Sequence, residues 1–172
     1  MYFINFDFNF VVMFRSVAKG IKQIIISTAI IIATSINFCF KSGFSEQDWL
    51  VWTNKCLAQS YDPSGDARLK KWELTITGDN FIRLRKTYVK GKQVYYSFNL
   101  SKLSEMTYLG NTSSGTIQLK TLEDDIIVQT YKDRHGDVDS MTTVLNIPVK
   151  NMEPERLDSL KEALDYFKTK GL

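Results

Sequence analysis

Histidine, cysteine and proline are scarce in this 172-residue chain: one His, two Cys and three Pro, with nine Gly. Two cysteines cannot make a disulfide scaffold, and one histidine with two cysteines falls short of the usual zinc ligand sets. Little proline and glycine excludes a collagen-like or low-complexity chain. No glycine-rich phosphate loop, nucleophile elbow or HExxH helix occurs. What the chain does have is 44% hydrophobic and 13% aromatic residues, enough for one domain with a real core.

Charge is unevenly placed. The whole chain has 22 basic and 19 acidic residues, a net of +3. Residues 1–45 hold Arg15, Lys19, Lys22 and Lys41 against Asp7, which is already +3. Residues 46–172 therefore balance at 18 and 18. A neutral body has no net field to gather polyanions, so nucleic acid is not an expected partner.

Arg15, Lys19 and Lys22 precede the apolar run Ile24–Phe40, the order of an export signal. Gly43 and Ser45 supply small residues two apart, so cleavage after Ser45 is expected. Met13 offers a more ordinary start than Met1, because residues 1–12 are apolar and lie ahead of the basic group. Two readings compete with cleavage. The 17-residue run is close to the ~20 residues of a spanning helix and would serve as an uncleaved anchor. Ser45-Glu-Gln-Asp48 would also cap a helix. Cys39 follows Asn37 and Phe38 and lacks the small neighbour of a lipoprotein signal.

The chain divides into residues 1–45 (signal or anchor), 46–69 (helix and linker) and 70–172 (β domain with a final helix). Trp49, Trp52 and Cys56 predict a short helix in 46–61, with Cys56 a buried apolar residue. Asp62–Asp66 is turn chemistry. Alternation predicts strands over Trp72–Thr77, Phe81–Val89 and Gln93–Asn99, with turns at Gly78–Asn80 and Lys90–Lys92. Leu100–Leu109 reads as one helical turn leading into a strand, followed by a loop at Gly110–Gly115. Thr116–Leu122 and Ile126–Asp133 are strands around Glu123–Asp125, and Arg134–Asp137 is a hairpin turn. Val138–Val149 reads as one closing strand ended by Pro148. Leu157, Leu160, Leu164 and Phe167 form one stripe of a C-terminal helix, with Pro154 in its first turn and Gly171 at its end.

The expected fold is therefore mainly β with α: a bent antiparallel sheet, or a small barrel or sandwich, capped by an amphipathic helix. Another open sheet with one helix is the alternative. The two early hairpins (Trp72–Asn99), the Ser97–Leu103 crossing, the Arg134–Asp137 turn and Pro154–Lys170 together resemble the pleckstrin-homology-like fold over about residues 70–170. Phosphoinositide-binding members carry a Lys in the first strand and a basic-x-Arg in the second; Lys71 and Arg83-Leu84-Arg85 match that loosely. The Gly78–Asn80 turn is too short to cradle a head group, so these residues read as a solvated strand face.

His135 with Asp133, Asp137 and Asp139 reads as an exposed turn rather than a metal site. Glu123, Asp124 and Asp125 read as a polar turn rather than an acid–base pair. Asn99 and Asn111 begin glycosylation sequons, relevant only in a eukaryote. No catalytic, metal or cofactor site is assigned. The expectation is an exported, non-catalytic domain, periplasmic or secreted, binding a protein or envelope component. Membrane association is expected only if residues 24–40 are kept. An enzyme of unrecognised type would need a deep pocket joining Arg83, Arg85, His135 and carboxylates.

Overall fold

The computed structural model describes residues 44–170. Residues 1–43 of the signal or anchor segment, Cys39 among them, and Gly171 lie outside the described residues. From Glu46 onward the chain is one compact unit. It is mainly β with two helices, in two open antiparallel sheets. The expected fold class holds, as open sheets rather than a closed barrel.

Helix α1 spans Glu46–Ser60 and starts directly after Ser45. Glu46 and Asp48 sit at the positive pole of its dipole. Its buried residues are Thr53, Cys56, Leu57 and Ser60, at i, i+3, i+4 and i+7. Trp49 and Trp52 lie half-buried beside this stripe, so the buried face is rotated from the one the tryptophans predict. Strands β1 (Leu69–Ile76), β2 (Phe81–Tyr88) and β3 (Gln93–Asn99) form a meander. A 3-10 turn, Leu100–Lys102, leaves it, with the Asn99 side chain accepting from the Ser101 N–H at 2.9 Å.

The chain then changes sheet. Strands β4 (Leu103–Gly110) and β5 (Ser114–Thr121) pair with each other, and β6 (Ile126–Tyr131) returns to pair with β3. The expected closing strand is two strands. β7 (Asp139–Thr142) pairs with β6, while β8 (Val144–Lys150) pairs with β5 in the other sheet. Thr143 is the corner between them. Pro148 does not end β8 but lies within it, opposite Thr116. It is tolerated because β8 is an edge strand, where a missing N–H breaks no ladder. The Gly110–Gly115 loop shrinks to Asn111–Ser113, because both glycines pair across the β4–β5 hairpin. Gly110 is required there: its φ is 144°, and a Cβ would lie 2.5 Å from the Gly115 backbone.

Helix α2 spans Pro154–Lys170 and buries Leu160, Ala163, Leu164 and Phe167. Each large apolar side chain of this stripe contributes about 2 kcal/mol through burial. Arg156 donates to Gln59 at 2.8 Å and Lys170 to Glu46 at 2.9 Å. The two helices are therefore antiparallel neighbours, with the Trp49 and Tyr166 rings stacked at 6.1 Å. One core joins both sheets and both helices.

Asn54 fixes α1 to the free edge of β1. Its amide donates to the Ile76 carbonyl at 2.9 Å and accepts from the Ile76 N–H at 2.6 Å. One side chain thus replaces a missing strand partner and blocks that edge. Replacing it with alanine leaves two backbone groups unpaired, and Asn54→Ala is expected to cost about 2 kcal/mol in urea unfolding. A loss within the error of the measurement would contradict this role.

Candidate basic cleft

The inner face of the five-stranded sheet is covered unevenly. Ile76, Ile82 and Phe98 face one another across three strands and are fully buried. On the next inward rung, Leu74 and Leu84 are buried, but Tyr96 and Val128 are only half-buried. One rung further, Trp72, Lys86, Val94 and Thr130 are all half-buried. Past that rung the face opens into a cleft of about 740 Å³.

Three segments wall the cleft. Arg68 comes from the approach to β1, Lys90 and Lys92 from the β2–β3 turn, and Lys132 and Arg134 from the β6–β7 connection. Tyr88, Val89 and Val94 give it an apolar floor. Two carboxylates, Asp66 and Asp133, also line it. Both are engaged. Asp66 accepts from the Tyr88 hydroxyl at 2.8 Å and lies 4.0 Å from the Lys86 ammonium. Asp133 is paired with Lys92 and accepts from the His135 N–H. The Lys92 hydrogen bond holds the Asp133 carboxyl below its usual range. Arg68, Lys90, Lys132 and Arg134 have no ion-pair partner among the described residues.

Left-handed backbone marks the rim. Gly91 and Gly136, in the two turns, have φ of 85° and 97°. Lys132 has φ 58°, where the other non-glycine residues with positive φ among the described residues are Asn80 and Asn151. Asparagine tolerates this region; a lysine pays about 1 kcal/mol or more for its Cβ. Residues held in such sparsely populated backbone regions cluster at binding and switch sites.

Burial, with the Asp66 and Asp62 charges, pushes the Tyr61 phenol up to about 12. Tyr88 is also raised, first by burial and then by its bond to Asp66. Of these, Tyr88 and Asp66 line the cleft, while the Tyr61 ring packs on Trp72.

The residues singled out from sequence lie mostly elsewhere. Arg83 and Arg85 alternate with the inward Leu84 and face the opposite side of the sheet. There Arg85 lies 4.0 Å from Glu73, and Arg83 lies 3.8 Å from Asp79. Lys71 and Arg85 share a shallow hollow of about 180 Å³. His135 lines the large cleft, so the convergence of His135 with Arg83 and Arg85 does not form. Asp137 accepts from the Asp133 N–H, and Asp139 from Gln129. These carboxylates shape the turn, and no group of three or more potential metal ligands occurs among the described residues. Asp125 lies 3.7 Å from Lys102. Cys56 is buried as a free thiol.

Sequence reading missed Arg68, Lys90, Lys92, Lys132 and Arg134 as a group. The signal was present in two turns, Lys90-Gly-Lys92 and Lys132-Asp-Arg134, each with basic residues two apart. Only the β3–β6 register, with Gln93 opposite Tyr131, brings Lys92 and Lys132 together.

The chain matches no protein-family model, no curated protein and no solved structure, so the cleft stands on its own physics. Lys132→Gly relieves the Cβ clash but frees the unfolded chain, and should raise stability by roughly 0.5 kcal/mol in urea unfolding. A clear loss of stability would show that the lysine is kept for folding. The raised tyrosine values give a second test. The unfolded chain releases tyrosine protons near pH ~10 while the native state retains them. Stability is then complete below pH ~10 and falls as pH rises toward about 12 for Tyr61. Tyr88→Phe should flatten this alkaline slope in pH-dependent unfolding; an unchanged slope would contradict the assignment.

Proposed function

We propose that the protein is an exported, non-catalytic binding domain and that the basic cleft is where it takes its ligand. The observation that carries this reading is the cleft itself: cationic side chains from three segments converge on an apolar floor, with a strained lysine at the wall. The residues facing it include no nucleophile paired with a base. The order of basic residues and apolar run in residues 15–40 supports export. The two early hairpins, the crossing segment and the final helix support the pleckstrin-homology-like resemblance. No described helix is long and apolar enough to cross a membrane, so an anchored form would rest on residues 24–40.

The ligand in this reading is a small molecule or an envelope component that presents an anionic group. Nucleic acid fits poorly, because a body balanced at 18 basic and 18 acidic residues has no net field to gather a polyanion.

Mass spectrometry of the protein recovered from its native cell fractions tests the export half. A mature chain beginning near Glu46 in an envelope or secreted fraction is expected. A chain that keeps residues 24–40 in the membrane fraction would replace export by anchoring. Full-length protein in the cytosol would overturn both.

A further inference from the structure

We propose that the cleft is built for an amphipathic oxyanion: a small organic phosphate or sulfate, its charged group held by Arg68, Lys90, Lys132 and Arg134 and its apolar body seated on Val89, Val94 and the Tyr88 ring. The proposal deepens the reading of the cleft as the ligand site and rests on it.

Three observations select this chemistry. The first is the surplus of unpaired cation. Asp66 and Asp133 are already occupied, by Tyr88 and Lys86 and by Lys92. Four cationic side chains are left facing the same space, more than a single carboxylate requires. Two of them are guanidiniums, whose planar forks match the paired oxygens of a phosphate or sulfate.

The second is the floor. Val94 projects from the inner face of β3, in line with the core residues Tyr96 and Phe98. Val89 follows the end of β2, and the Tyr88 hydroxyl is turned to Asp66. Water over these apolar side chains is displaced at a gain by an apolar group. A bare inorganic anion leaves that gain unused. The volume of about 740 Å³ also exceeds what a bare anion fills and lies in the range of sites for small organic molecules.

The third is the cost accepted at Lys132. A lysine at φ 58° contributes strain without a fixed ion pair in return. An anion in the cleft supplies the missing partner. The same position filled by glycine would fold more easily and bind less.

Isothermal titration of the protein as isolated tests this with three probes: phenyl phosphate, inorganic phosphate and neutral benzyl alcohol. NMR shifts of the Lys132–His135 amides locate the binding. Phenyl phosphate should bind at the cleft with a Kd at least about tenfold lower than inorganic phosphate, and benzyl alcohol should not bind. Arg134→Glu, on an exposed turn, should weaken phenyl phosphate by about tenfold or more while leaving the fold intact by circular dichroism. Val94→Ser should weaken phenyl phosphate and leave inorganic phosphate unchanged. Equal affinity for the two phosphates would overturn the amphipathic ligand but keep the cleft as an anion site. Benzyl alcohol binding as well as phenyl phosphate would overturn the role of charge. No binding of any probe at millimolar concentration, or shifts confined to other surfaces, would end the reading of the cleft as a ligand site altogether.

Discussion

The apolar inner face of the five-stranded sheet is longer than the body that covers it. Both helices and the three-stranded sheet bury the rung of Ile76, Ile82 and Phe98 completely. Coverage then fades through Tyr96 and Val128 to Val94 and Thr130. A sheet face left uncovered must end in polar groups or in a site. Here it ends in both. Lys86, Asp66 and Tyr88 form a small polar network at the boundary, and beyond it the face becomes the floor of the cleft.

Two of the four sheet edges, β1 and β8, are covered in different ways. The edge of β1 is blocked by the Asn54 amide, and β8 carries Pro148 and accepts Asp62 along its free side. These contacts hold α1 at the buried end, where α2 meets it antiparallel. The β2–β3 turn and the β6–β7 connection are tied instead to each other by the Lys92–Asp133 pair, and the β2–β3 turn to the approach to β1 by the Val89 N–H donating to the Arg68 carbonyl. Apart from that pair their basic side chains face the cleft, and the strained φ of Lys132 lies there rather than in the core.

Much of this architecture was legible from local pattern. The alternation in Trp72–Asn99, the turns at Gly78 and Lys90, the single helical turn at Leu100 and the stripe Leu160–Phe167 all announce themselves within a few residues. The crossover was not legible. β4 and β5 stand between β3 and β6 in sequence, and no local signal says that β6 returns to β3. The corner at Thr143 was hidden for the same reason: Val138–Val149 carries no glycine or turn dipeptide to mark a break, yet its halves belong to different sheets. The cleft depends on this long-range pairing. Its basic residues are surface turn residues one by one and become a site only when the register places Lys92 beside Lys132. The arginines that alternation made conspicuous, Arg83 and Arg85, pair with Asp79 and Glu73 on the other face.

The central claim is that the inner face is open to solvent at Val94 while the core at α1 is closed. Thiol labelling of the native protein tests it most directly, in a Val94→Cys variant that also carries Cys39→Ser. The account predicts that the thiol at position 94 reacts many times faster than the buried Cys56, without prior unfolding. Equal protection of the two thiols would mean that the sheet is covered along its whole length, and the account would be wrong.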